Sequence, residues 1–137
     1  MTMDSLVKNK LLIVDDDTAN LLELIDILKS EYKIYTAKNG ISALEIAKKF
    51  LPDLILLDII MPGMSGYEVL AELRKYDSTM KIPVIFVSGS DTSEDIQKGL
   101  SLGAVEYITK PYNRATVLEK VLRHIKILEA GNVTESR

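Results

Sequence analysis

Cysteine is absent from this sequence, and histidine occurs once, at His124. Without cysteine there is no disulfide and no thiolate zinc site, which suits a reducing compartment such as the cytoplasm. No apolar run approaches the ~20 residues that a bilayer requires. Residues 1–10 are polar and lack the apolar stretch of a secretory leader. Positive charge is not in surplus either. The chain has 17 Lys and Arg against 20 Asp and Glu, a net charge of −3, whereas a free-standing nucleic-acid binder is usually basic. Internal repeats, low-complexity stretches and any linker long enough to separate a pair of domains are also missing. The 137 residues therefore read as one domain, long enough to bury a core without staples.

What is present is an alternation. Short apolar runs of strand length alternate with amphipathic segments of helix length. Leu11–Val14, Lys33–Ala37, Leu54–Leu57, Pro83–Val87 and Val105–Ile108 read as strands. Between and after them, Ala19–Glu31, Ile41–Phe50, Gly66–Tyr76, Ser93–Leu102 and Arg114–Glu129 carry apolar residues at helical spacing. Asp17 or Thr18 can cap the first helix, Asn39-Gly40 marks a turn, Pro52 ends the second helix, and Gly103 is placed to close the fourth. Near-continuous apolar strands between helices imply a parallel sheet covered on both faces. Right-handed crossovers then make it a doubly wound α/β sandwich of three layers. The expected organisation is a lead-in at 1–8, one domain at 9–130, and a polar tail or linker start at 131–137.

The chemistry gathers at the carboxyl ends of the strands, the edge where ligands bind in open α/β sheets. Strand one ends in Asp15-Asp16-Asp17 and strand three in Asp58. Strand four ends in Ser88, and Lys110-Pro111 follows strand five. Clustered carboxylates repel one another unless a cation or proton intervenes. Oxygen ligands without His or Cys favour Mg²⁺, with Mn²⁺ the alternative. A carboxylate can also attack phosphorus to form an acyl phosphate. A metal would neutralise phosphoryl oxygens, a lysine would supply a point charge, and a hydroxyl would donate a hydrogen bond. Together these are the needs of phosphoryl transfer.

Four stretches carry a resemblance: LLIVDDD at 11–17, LILLDIIMPGMSGYEVL at 54–70, PVIFVSG at 83–89 and GAVEYITKPY at 103–112. In this order and placement the chain resembles the receiver domains of bacterial two-component response regulators, across about residues 9–129. The resemblance implies a flavodoxin-like fold with strand order 2-1-3-4-5. It implies that Asp58 is a reversibly phosphorylated phosphoacceptor and that Asp15, Asp16 and the Ile60 carbonyl join Asp58 around Mg²⁺. Ser88 and Lys110 would contact the phosphoryl group, and Ser88 and Tyr107 would form the switch. A cis Lys110-Pro111 peptide is expected. The implied partners are a sensor histidine kinase or phosphotransfer protein, and a downstream partner or effector domain reached through helix four, strand five and helix five. A phosphorylation-dependent homodimer is a further implied assembly. Nucleic acid and membrane are not expected partners, and the chain is expected to catalyse only its own phosphorylation and hydrolysis.

Plainer readings stand beside these. The Asp triplet alone would suit a helix N-terminus, where acids are favoured. Asp17 reads as a cap or surface acid outside the site, and His124 as a surface residue. Met61 and Met64 are expected to pack the loop beside Asp58. Ser88 alone could serve packing, Lys110 a solvated turn, and Tyr107 core or edge packing. Two rival functions remain: a small Mg²⁺-dependent phosphatase with Asp15 as nucleophile, and a degenerate receiver that only binds.

Overall fold

A computed structural model describes residues 7–135, with side chains through residue 131. The strands are β1 (Lys10–Val14), β2 (Lys33–Ala37), β3 (Leu54–Asp58), β4 (Val84–Ser88) and β5 (Glu106–Thr109). They form one parallel sheet in the order β2-β1-β3-β4-β5, as expected. The helices are α1 (Thr18–Leu28), α2 (Gly40–Phe50), α3 (Gly66–Leu73), α4 (Ser93–Ser101) and α5 (Arg114–Glu135).

The side chains of a strand point alternately to its two faces, and here both faces are apolar. Leu12, Val14, Ile55, Leu57, Val84 and Phe86 face one way, with Ala43 and Ala47 of α2 and Val69, Leu70 and Leu73 of α3 packed over them. Leu11, Ile13, Leu54, Leu56, Ile85 and Val87 face the other way, beneath Leu21, Leu24 and Leu28 of α1 and Val117, Val121 and Ile125 of α5. The result is the three-layer sandwich.

Side-chain caps set most helix starts. Asp17 accepts from the backbone N–H groups of Ala19 and Asn20, and Asn39 accepts from that of Ser42. Ser65 and Glu68 form a reciprocal capping box on α3, and Thr92 caps α4. Gly103 takes φ +112° just past α4, as expected of a closing glycine.

Three helix ends differ from expectation. Helix α1 stops at Leu28 instead of Glu31, because the Leu28 carbonyl accepts from both Glu31 N and Tyr32 N, and the tightened turn buries Tyr32. Helix α3 stops at Leu73 instead of Tyr76. There the buried Thr79 hydroxyl donates to the Leu73 carbonyl at 2.7 Å, and the Arg74 guanidinium donates to the Ile82 carbonyl at 3.0 Å. Helix α5 runs past Glu129 to Glu135. No proline interrupts it, and Gly131 alone costs a helix only about 1 kcal/mol.

The candidate phosphoacceptor site

The strand register aligns the site. Val14 pairs with Leu57, Asp58 with Val87, and Ser88 with Thr109, so the last residues of β1, β3, β4 and β5 finish at one edge. Backbone bonds carry this geometry past the strand ends. Asp15 N donates to the Ala37 carbonyl at 3.1 Å, Ile59 N to Val87 at 3.2 Å, and Lys110 N to Ser88 at 2.8 Å. The Lys110-Pro111 peptide is cis.

The loop after Asp58 folds back onto its own start. Gly66 N donates to the Ile59 carbonyl at 2.8 Å. A Cβ on Gly66 would lie 2.4 Å from the Asp58 carbonyl oxygen and 2.8 Å from the Ile59 Cα. Only glycine allows that approach, and the contact fixes the backbone on which Asp58 stands. Met61 is buried and Met64 lies against Gly40, so both methionines pack the loop as expected.

These elements enclose an acidic cavity of about 300 Å³ whose lining includes Asp15, Asp16, Asp58, Ile60, Ser88 and Lys110. Asp15, Asp58 and Ser88 are buried, while Asp16 is exposed. Lys110 reaches across, its Nζ 3.1 Å from Asp15 Oδ2 and 3.3 Å from Asp58 Oδ1. One carboxylate oxygen from each of Asp15, Asp16 and Asp58 lies within 4.8 Å of the others.

Electrostatics at this spot are strained. Burial, then the Asp15 charge, pushes the Asp58 carboxyl from 3.8 up to about 6, against the opposing pull of Lys110. Burial pushes the Lys110 ammonium down, but the charges of Asp58 and Asp15 outweigh it and hold it above the usual lysine value. Asp15 Oδ1 accepts from Asp17 N at 2.9 Å. Its Oδ2 is buried with no aligned hydrogen bond, although the lysine charge is near. An under-satisfied buried carboxylate oxygen among three acids is what a hard cation relieves. The oxygen-only donor set fits such an ion.

The proposed switch residues lie beside the cavity. The Ser88 hydroxyl accepts from Ser90 N at 3.2 Å. Tyr107 is buried, facing inward, and its hydroxyl donates to the Ser90 carbonyl at 3.1 Å. Ile60 is 75% exposed at the cavity rim. Three lining residues escaped the sequence reading: Asn20, Gly89 and Asp17. Asn20 lies one helical turn beyond Asp16, and that spacing was the available signal. Asp17 is a cap, as read, yet it also faces the cavity.

His124 corrects its reading as a surface residue. Its side chain is only 13% exposed, and Nε2 lies 3.3 Å from Glu106 Oε2. Glu106 also draws Lys120 and Arg123, which folds α5 charges onto β5 and covers the imidazole.

The family model described as "Response regulator receiver domain" matches residues 11–122. The chain belongs to that family. It is 41% identical to a probable cyclic di-GMP phosphodiesterase of Vibrio cholerae over 92% of this chain, but spans only 29% of that relative. It superposes on the Vibrio cholerae chemotaxis protein CheY4 with a TM-score of 0.80, at 30% identity, covering 85% of this chain and 98% of the other. A receiver domain of a Pseudomonas aeruginosa sensor histidine kinase, solved with a magnesium ion in its active-site cleft, gives a TM-score of 0.80 at 26% identity, covering 88% and 99%. The chain is thus a receiver domain of two-component signalling, and its pocket of Asp15, Asp16 and Asp58 fits a phosphoacceptor site. Among the described residues no helix is long and apolar enough to cross a membrane.

Proposed function

We propose that Asp58 accepts a phosphoryl group from the phosphohistidine of a kinase or phosphotransfer protein, and that this chain is the switch. The observation that carries the reading is Lys110 spanning Asp15 and Asp58 over an acidic cavity that also holds Ser88. An Asp58 oxygen forms the new bond to phosphorus, the P–N bond breaks, and the imidazole leaves. Asp15, Asp16, Asp58 and the Ile60 carbonyl would hold Mg²⁺ or Mn²⁺. Such an ion supplies charge neutralisation of the phosphoryl oxygens. Lys110 holds one phosphoryl oxygen by charge and Ser88 donates to another.

Ser88 and Tyr107 then couple the site to the surface of α4, β5 and α5. Ser90 joins them, bonded through its N–H to Ser88 and through its carbonyl to Tyr107. Phosphorylation shifts the population toward the state in which Ser88 meets the phosphoryl group and Tyr107 stays inward. A partner or effector region reads that surface, or a second copy does. The domain starts near residue 9 and carries α5 to Glu135, so residues 131–135 continue its last helix where a polar tail was expected from 131; it turns over no independent metabolite. A cysteine-free chain of this class works in the cytoplasm.

Incubation with acetyl phosphate and Mg²⁺ tests the reading. Wild type and Asp15→Asn are expected to label, the latter more slowly, and Asp58→Asn is expected not to. Label retained in Asp58→Asn but lost in Asp15→Asn would mark a phosphatase-type nucleophile instead. No label in the wild type would mark a module that only binds.

A further inference from the structure

The groups assigned to the cation stand on two separate stretches of chain. Asp15 and Asp16 follow β1, whereas Asp58 ends β3 and Ile60 lies in the loop beyond it. Groups that hold the ligands of a metal in place govern how well it binds. The spacing of these two stretches therefore needs a support.

The corner between β2 and α2 carries no residue of the site, yet it touches both stretches. Ala37, the last residue of β2, accepts the backbone N–H of Asp15 at 3.1 Å. Beside it, the Lys38 ammonium donates to the hydroxyl of Thr18, where α1 begins just after the acidic run. Gly40 opens α2 and receives Met64, from the loop after Asp58. The corner itself is fixed, because the Asn39 side chain accepts from Ser42 N at 2.9 Å and the Asn39 carbonyl from Ala43 N at 3.0 Å.

The approach of Met64 to Gly40 leaves no room for a side chain. A Cβ on Gly40 would lie 2.7 Å from Met64 Sδ, 2.8 Å from its Cβ and 2.9 Å from its Cγ. The thioether could swing away, but the Met64 Cβ moves only with the loop backbone. Among the described residues the glycines with positive φ are Gly63 and Gly103. Gly40 is thus needed for space, not for backbone freedom. Met64 also packs on the core cluster that holds Ile59 and Met61, the two neighbours of Ile60. Where Met64 sits therefore bears on where the Ile60 carbonyl stands.

We propose that Gly40 is a positioning residue for the metal site: by seating Met64 it makes the β2–α2 corner a brace that fixes the Ile60 carbonyl relative to Asp15. The inference rests on the metal roles given to Ile60 and Asp15 above. Neither Gly40 nor Met64 lines the acidic cavity, so both act through the loop backbone.

Calorimetric titration with Mg²⁺, which needs no phosphorylation, tests this on the full chain. Gly40→Ala is expected to raise the Mg²⁺ Kd about fivefold, less than the ~10-fold typical when a group bonded to the ligand itself is removed. Met64→Ala, which leaves a gap instead of a clash, is expected to raise it too. The double variant is expected to raise it by less than the product of the two, because both changes break one contact. Val121→Ala, a truncation in the core on the other face of the sheet, is expected to lower the melting temperature and leave Kd unchanged. Labelling of Gly40→Ala by acetyl phosphate is expected to recover toward the wild-type rate as Mg²⁺ approaches saturation.

An unchanged Kd in either single variant, effects that multiply independently, or an equal rise in Val121→Ala overturns the proposal. If Gly40→Ala does not fold, the Kd of Met64→Ala decides alone. A wild type that binds no Mg²⁺ overturns both the metal assignment and this inference. Failure of Asp58 to label while the Kd pattern holds counts against the phosphoacceptor reading alone.

Discussion

Lys110 Nζ lies 3.3 Å from Asp58 Oδ1, and this pair sets the charge balance of the site. The lysine offsets part of the desolvation and like-charge repulsion that hold Asp58 near 6. Replacing it with alanine removes that offset, so the Asp58 carboxyl rises further. Lys110→Ala is expected to slow labelling by acetyl phosphate about 100-fold, the typical loss of one preorganised charge-stabilising group. The acid limb of its pH profile is expected to move to higher pH. A profile identical to wild type contradicts the pairing.

Stability gives a second handle on Asp58. Its folded-state value is raised, so its favourable contribution is fully present below the unfolded value of 3.8 and is lost as pH rises through about 6. At pH 7 the folded protein carries an ionised carboxylate it disfavours. That corresponds to no more than about 3 kcal/mol, reduced to about 1–2 kcal/mol by water in the open cavity. Asp58→Asn is therefore expected to be more stable than wild type at pH 7, with the advantage shrinking toward pH 4. Urea denaturation across that range reads the difference; a constant difference contradicts the assignment.

Gly66 offers a test of how the loop holds the site. A methyl there meets the Asp58 carbonyl at 2.4 Å, and backbone cannot yield as a side chain can. Gly66→Ala is expected to cost at least about 1–3 kcal/mol, the usual range for overpacking. Labelling at full folding is expected to slow as well, because the backbone that carries Asp58 must shift. Chemical denaturation read beside labelling rate checks both.

Ile60 and Ser90 bear on lifetime. Ile60 presents an apolar side chain at the cavity rim, and the Ser90 hydroxyl donates to Asp95 and so points toward α4. Neither is disposed to hold an attacking water, and the phosphorylated form is expected to be long-lived. Ile60→Asn is expected to hasten loss of label. A large slowing instead would refute the role given to this position.

The fold was legible because its strands are apolar on both faces and its helices are not. Leu54–Leu57 and Val84–Val87 can only be interior, and Asp58 and Ser88 then fall at strand ends. The site followed from the same placement. Helix ends were harder: Thr79 and Arg74 halt α3 through bonds to carbonyls that no local pattern announces. His124 was misread because its cover comes from Glu106 on another element. Asn20 was missed for a related reason. Its side chain lines the cavity through where the fold puts α1, and it lies outside the four stretches of resemblance.

The most direct measurement of the central claim is chemical mapping of the phosphorylated residue. The chain is treated with acetyl phosphate and Mg²⁺, then reduced with borohydride, which converts an aspartyl phosphate to homoserine. Peptide mass analysis is expected to find homoserine at position 58 and nowhere else, and none when Mg²⁺ is chelated beforehand. Homoserine at position 15, or unmodified Asp58 in a chain that binds Mg²⁺, would contradict the account.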